Sequence, residues 1–155
     1  MSEFTHLDAQ GQLHMVDVGE KPVTRRHATA SCRLQVGPRL FPLLLAGSLP
    51  KGDVWAAARL AAIMAAKNTS QLSPLCPPLC LSAIEVDFTP EPEDFWVTIR
   101  AQVRTQAQTG VEMEALTAAA VAALTIYDMC KAVDRRMRIT DVRLVSKTKR
   151  REASQ

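Results

Sequence analysis

The stretch Val97-Thr98-Ile99-Arg100-Ala101-Gln102-Val103-Arg104 alternates apolar and polar side chains over its whole length. Successive residues of a β-strand point to opposite faces of a sheet, so this alternation is typical of a strand with one buried and one solvated face. The same period occurs at residues 24–36 and at residues 84–88. These three stretches predict a sheet that is covered on one face only.

Two helices are predicted after the first strand. A short helix begins at Pro38, because proline suits the first turn of a helix, and Gly47 ends it. The second helix runs to about Lys67 with Asp53 as its N-cap, since an aspartate side chain can accept from the free backbone N–H groups there. Residues 68–78 are predicted to form a loop that three prolines stiffen.

The remaining elements complete an α+β order. A turn is predicted at residues 90–93, a long helix from about 110 to 136, and a final strand from about 138 to 147. Residues 115–127 carry no charge, so this helix should be buried against the sheet and against another subunit. The order strand, helices, strand, strand, helix, strand predicts a ferredoxin-like split βαβ sandwich, an antiparallel four-stranded sheet with helices on one face.

Length and composition bound the functional class. The 155 residues suit a flexible arm (1–22), a single domain (23–148) and a basic tail (149–155). A net charge of +3 is too small for the basic surface typical of nucleic-acid-binding proteins. The longest uncharged run is shorter than the ~20 residues of a membrane helix. Four cysteines match neither a disulfide framework nor a zinc site, so free thiols in the cytoplasm are predicted.

Ionisable residues at one end of the long helix are candidates for catalysis. Asp128 and Lys131 lie three residues apart on one helical face. A surface ion pair would explain them without any function, but the uncharged run before them should desolvate the pair and lower the lysine pKa. The three histidines (His6, His14, His27) lie in the arm or the first strand, so no metal site and no Ser-His-Asp triad is expected.

Two carboxylates begin the same helix. Glu112 and Glu114 also suit the positive end of the helix dipole, which is the alternative without a function. Glu114 and Asp128 face within about 40° of each other but lie about 21 Å apart along the axis. One small substrate cannot contact both within a single chain, so the spacing predicts a site that two subunits share.

Three further segments are candidate walls of an anion pocket. Lys51-Gly52-Asp53 combines a cation, a permissive glycine and a helix start, although an ordinary interhelical turn has the same residues. Lys147, close to the last predicted strand, is a candidate for an anionic ligand. The loop Leu75-Cys76-Pro77-Pro78-Leu79 can wall a pocket or be only a stiff connection.

Several of these segments together resemble the MoaC family over residues 5–148. Residues 109–117 and 124–133 resemble the signature helix of that family almost letter for letter. Residues 15–18 resemble the N-terminal motif of the family, residues 51–54 resemble its helix-start motif, and residues 75–79 resemble its proline loop.

The resemblance implies a lyase activity of molybdenum cofactor biosynthesis, that of a cyclic pyranopterin monophosphate synthase. In this reaction 3',8-cyclo-7,8-dihydroguanosine 5'-triphosphate is rearranged to cyclic pyranopterin monophosphate with release of diphosphate. The resemblance also implies a ferredoxin-like fold and a hexamer, a trimer of dimers with active sites at the dimer interfaces. No cofactor and no metal site are predicted for this chain.

The motif positions imply roles for individual residues. Asp128 and Lys131 would be the catalytic pair, and Lys51 a third catalytic residue. Lys51 and Lys147 would hold phosphates or assist proton transfer. The substrate pocket would be lined by Leu75, Cys76, Pro77, Glu112, Met113 and Glu114.

The chain departs from the family pattern at Pro77, where the family loop has a histidine. An imidazole can donate to a phosphate or move a proton near neutral pH, whereas proline can do neither and lacks the amide N–H. Residues 147–151 also lack the glycines common in the family. A slower natural enzyme, a deliberately altered variant and a homologue that binds without turnover all fit this departure.

An alternative hypothesis assigns the chain to another functional class. A ferredoxin-like interaction module without a small-molecule site would have the same pattern of strands and helices. Such a scaffold has no need for Lys131 beside Asp128, which favours the enzyme.

Overall fold

A computed structural model describes residues 5–151 of the chain. Four strands and four helices follow one another as β1 (Thr24–Gln35), α1 (Phe41–Leu45), α2 (Val54–Lys67), α3 (Thr69–Leu72), β2 (Leu81–Glu91), β3 (Trp96–Ala107), α4 (Glu112–Cys130) and β4 (Arg138–Arg150). The sheet order is β2-β3-β1-β4, and every neighbouring pair of strands is antiparallel. This confirms the predicted α+β, ferredoxin-like arrangement.

The alternation in the sequence sets which face of the sheet is buried. Val97, Ile99, Ala101 and Val103 of β3 are fully buried, as the period predicts. α4 packs on this face against β1, β3 and β4, and α2 lies along α4 and contacts β2. The buried face of α4 is mostly alanine. Small side chains let the helix approach its neighbours closely, since the distance between packed elements depends on the side chains at the contact.

The predicted ends of the helices need correction. α1 begins at Phe41 and not at Pro38. α4 ends at Cys130 and not near residue 136, because the chain turns where the side chain of Asp134 accepts from the backbone N–H of Arg136 at 2.8 Å. The predicted loop at 68–78 contains α3, where the hydroxyl of Thr69 donates to two carbonyl groups at the end of α2.

The predicted ends of two strands need correction as well. β2 continues through Pro90 to Glu91, into the predicted turn. Proline is tolerated there because β2 is an edge strand of the sheet. β4 pairs with β1 as far as Arg150, so Lys149 and Arg150 lie in a strand and not in a tail. The wider division into arm, domain and tail stays a prediction.

By length and composition alone, α4 would also fit a membrane span, although its uncharged run is shorter. In the described part of the chain it occupies the position of a core helix. Its residues Ala118, Ala122 and Ile126 are fully buried within the chain. The apolar character of α4 is therefore explained by its packing against the sheet and α2.

Candidate active site

Three residues from two segments meet at the C-terminal end of α4. The Nζ atom of Lys131 lies 2.7 Å from Oδ1 of Asp128. The Nζ atom of Lys51, from the turn before α2, lies 3.8 Å from Oδ2 of Asp128 and donates to the backbone carbonyl of that residue at 3.1 Å. We call Lys51, Asp128 and Lys131 the C-terminal cluster.

Local structure explains how Lys51 reaches this cluster. Gly52 has a φ of 92°, in the region that glycine favours, which turns the chain directly after the lysine. The side chain of Asp53 then accepts from the backbone N–H of Ala56 at 3.0 Å and fixes the start of α2, as predicted. The turn and the cap together hold the backbone of Lys51 beside the end of α4.

The C-terminal cluster is exposed within the single chain. The side chains of Asp128 and Lys131 are 63% and 49% exposed, so the prediction that the uncharged run desolvates them is wrong at this level. The run is buried on the face of α4 that packs on the sheet and α2, whereas the pair leaves the last turn of the helix. The hydrogen bond from Lys131, its charge and then the charge of Lys51 hold the pKa of Asp128 below its usual value. Asp128 is therefore an ionised carboxylate at neutral pH.

A cavity of about 320 Å³ lies at the N-terminal end of α4. The residues predicted to form the substrate pocket all line it: Leu75, Cys76, Pro77, Glu112, Met113 and Glu114. The loop before β2 supplies three of them and the first turn of α4 supplies the others. We call these six residues, with Lys147, the N-terminal cluster.

The two carboxylates of this cluster differ in their electrostatic surroundings. Burial raises the pKa of Glu114, which is only 5% exposed, and the charge of Glu112 adds to the rise. Burial also raises the pKa of Glu112, but the hydrogen bond from Lys147 and the nearby cations outweigh it and hold that pKa below its usual value. Neighbouring carboxylates with pKa values pushed apart suit different roles in proton transfer.

Lys147 reaches Glu112 because of a bulge in β4. The register between β1 and β4 shifts between Thr29 and Ala30, so that Val145 of β4 has no paired residue on β1. A bulge turns the following side chains to the other face of the sheet. Lys147 is thereby paired with Ala28 on the helix side, and its Nζ atom lies 3.0 Å from Oε1 of Glu112.

The two clusters lie at opposite ends of one helix. Asp128 follows Glu114 by fourteen residues within α4, which places them about 21 Å apart along the axis. The structure thus brings the predicted site residues together in two groups, and the fold of one chain keeps these groups apart.

Comparison with known proteins identifies the family. The sequence profile of the MoaC family matches residues 15–150. The chain belongs to the MoaC family.

Close relatives of this MoaC protein share one name. A protein of Pelotomaculum thermopropionicum is 58% identical over 148 residues, which cover 96% of this chain and 87% of the relative. A protein of Chloroflexus aurantiacus is 58% identical over 94% of this chain and 90% of its own. A protein of Nostoc sp. is 53% identical over 95% of this chain and 88% of its own. All three are named cyclic pyranopterin monophosphate synthase.

Sequence reasoning missed Arg26, which lies beside the N-terminal cluster of the MoaC protein. Its charge contributes to the lowered pKa of Glu112. The signal was present in β1, because Arg26 shares the helix-facing side of the strand with Ala28, and a charged residue on an apolar face is unusual. His6, from the N-terminal segment, also lines the cavity of this cluster.

Within residues 5–151, no group of three or more histidine, cysteine, aspartate or glutamate side chains is placed to hold an ion. The cations and carboxylates of the MoaC protein suit proton transfer and the binding of anions.

Proposed function

We propose that this MoaC protein is a cyclic pyranopterin monophosphate synthase of molybdenum cofactor biosynthesis. Its substrate would be the cyclised guanosine triphosphate named above, which it rearranges with release of diphosphate. The C-terminal cluster carries the proposal, because Lys51 and Lys131 each contact a different oxygen of Asp128. Two ammonium groups on one ionised carboxylate combine proton transfer with attraction for an anionic substrate. The shared name of the relatives supports the same activity.

Each group of the C-terminal cluster has a role in this proposal. Asp128 accepts protons, since its neighbours keep it ionised. Lys131 donates through the 2.7 Å contact, and Lys51 orients the carboxylate from its other side. Exclusion of water from around a lysine lowers its pKa and so favours proton exchange near neutral pH. The exposed cluster therefore requires a cover that the single chain does not provide.

We propose that a second copy of the chain provides this cover. Its N-terminal cluster would meet the C-terminal cluster of the first copy, so that each site combines both ends of α4. Large apolar side chains on the outer surface of the helices offer a contact area, with Leu60 60%, Met64 56% and Leu124 56% exposed. Leu60 and Met64 lie one turn apart on one face of α2, and contiguous exposed apolar surface marks contacts between proteins. The assembly would be a hexamer built as a trimer of dimers, in the cytoplasm.

Pro77 lines the pocket without a group that can move a proton. The proton transfers of the proposed reaction are assigned to the lysines and carboxylates of the two clusters, and His6 is an imidazole that also lines the cavity. Burial raises the pKa of Glu114, which favours its protonated form more than in an ordinary glutamate, whereas Glu112 stays charged beside Lys147. Lys147 remains available to hold phosphate.

The proposal is tested by incubating the purified protein with the cyclised nucleotide and measuring diphosphate release. The wild type should turn over, and Lys131→Ala should reduce the rate by about 10²-fold or more, as expected for the loss of an acid–base group. Lys67→Ala, an exposed lysine in the last turn of α2, is the matched control and should retain full activity. Tight binding with no product at any pH would contradict the proposal, as would full activity of Lys131→Ala.

A further inference from the structure

Three cations lie on the helix-facing side of the sheet where β1 meets the end of β4. Lys147 is paired with Ala28, and Lys149 with Arg26. Paired residues of antiparallel strands share a face, and their Cβ atoms lie about 5 Å apart. Arg26 and Lys149 are therefore two positive side chains that start from adjacent positions on one face, with Lys147 next to them.

This arrangement is unfavourable in the chain alone. Like charges directly opposite each other on neighbouring strands destabilise a sheet. Glu112, the carboxylate beside these cations, already forms an ion pair with Lys147 at 3.0 Å. Among residues 5–151, no carboxylate forms an ion pair with Lys149, which is exposed. Within the part of the chain that the structure describes, the end of β4 thus carries positive charge in excess of what its neighbours neutralise.

Arg26 has a hydrogen-bonding group that the described residues do not satisfy. Its Nη2 atom donates to the backbone carbonyl of Gln108 at 2.9 Å. Its Nε atom is buried and has no hydrogen-bond partner among residues 5–151. A buried donor without an acceptor costs free energy. The excess of charge and the unused donor independently point to an anion as the missing partner.

A cavity of about 260 Å³ is available for this anion. Arg26, Lys147 and Lys149 line it, together with Gly110 and Glu112 at the start of α4. Gly110 and Glu112 also line the cavity of the N-terminal cluster. A cationic compartment and a compartment with carboxylate and apolar walls therefore adjoin each other.

We infer that Arg26 and Lys149 bind the triphosphate of a nucleotide whose ring system occupies the adjoining cavity. Lys147 holds the same group from its place between Lys149 and Glu112. The inference rests on the proposed function and adds two residues to the proposed site. Lys149 belongs to this site only because β4 continues to Arg150.

The inference is tested by calorimetric titration of the assembled protein with GTP and with GMP. Lys149→Ala should weaken the binding of GTP about tenfold, that is by about 1.4 kcal/mol, and should leave the binding of GMP within about twofold. Arg151→Ala, which removes an exposed charge just beyond β4, should change neither affinity. Equal losses for both nucleotides, or no loss for either, would overturn the inference.

Thermal unfolding separates ligand binding from a structural role. Without ligand, Lys149→Ala should unfold at the same temperature as the wild type or higher, because repulsion from Arg26 is removed. Inorganic triphosphate should raise the unfolding temperature of the wild type more than that of the variant. A lower unfolding temperature for the variant, with an unchanged response to triphosphate, would assign Lys149 a structural role and refute the inference.

The outcome also distinguishes this inference from the proposed function. With the cyclised nucleotide as substrate, Lys149→Ala should raise KM with little change in kcat. Normal diphosphate release by the wild type with an unchanged KM in Lys149→Ala refutes the inference alone. Absence of diphosphate release in the wild type refutes the proposed function, and the inference with it.

Discussion

Mixing two inactive variants should restore activity if each site combines both ends of α4. One variant, Lys131→Ala, disables the C-terminal cluster. The other removes the pair Glu112 and Lys147 together by alanine substitutions, so that no unpaired charge remains in the half-buried position. Each variant alone should lose about 10²-fold or more in rate, since each lacks a charged group of the site.

The expected recovery follows from the separation of the clusters. The ends of α4 lie about 21 Å apart. A site formed within a single chain would therefore contain only one of the two clusters. In an equal mixture of the two variants, half of the shared sites receive their C-terminal cluster from a chain in which it is intact. Half of those sites also receive an intact N-terminal cluster from the other chain. About one quarter of the sites should therefore be fully intact when subunits mix randomly.

The assay is diphosphate release from oligomers assembled from both variants. Co-expression with two different affinity tags allows mixed oligomers to be purified before the measurement. The matched control mixes Lys131→Ala with Asp128→Asn, two variants that disable the same cluster. No pairing of those chains produces an intact site, so this mixture should stay inactive.

One result would refute the reasoning behind the shared site. Mixed oligomers of the complementary variants that remain as inactive as their parents would show that the clusters of different chains do not meet. Full activity of a wild-type monomer would lead to the same conclusion, because one chain cannot bring both clusters to one small substrate.

Three further predictions concern single side chains. Pro77→His should raise the rate of diphosphate release by about tenfold or more, because it adds a group that moves protons near neutral pH, whereas Pro78→Ala should not. Asp134→Asn should lower the unfolding temperature at pH 7. The bonds from Arg136 lower the pKa of Asp134 to about 2, so this difference should disappear as the pH falls from about 4 towards 2. Glu114→Gln should unfold at a higher temperature than the wild type at pH 7 but not at pH 4. Burial raises the pKa of Glu114, and its charged form is what destabilises the native state at higher pH. For either variant, a difference in unfolding temperature from the wild type that stays the same at both pH values would contradict the prediction.

The fold was largely predictable because its signals are local. The alternation at residues 97–104 identified the buried face of β3, and Asp53 marked the start of α2. The ends of elements were less predictable because they depend on distant contacts. β4 reaches Arg150 only because β1 offers Arg25 as a partner, and no pattern within residues 147–151 distinguishes that strand from a tail.

The positions of the candidate site residues in the fold were predictable to a similar extent. Spacing along α4 placed Glu114 and Asp128 at opposite ends of the helix, and the structure has them there. Arg26 was missed, although its position on the apolar side of β1 was visible in the sequence. Lys149 could not be found by periodicity, because the bulge at Val145 changes which residues of β4 face the helices.

The exposure of the C-terminal cluster indicates why assembly would be a chemical requirement and not only a source of stability. Asp128 is 63% exposed, and water screens its interaction with both lysines. Glu114, at the other end of α4, is 5% exposed and lies in a cavity. One end thus has the candidate proton-transfer groups exposed to water, and the other has a buried carboxylate beside a cavity. If the two ends meet in a dimer, the pocket excludes water from the lysines, and a monomer that folds normally should therefore be inactive.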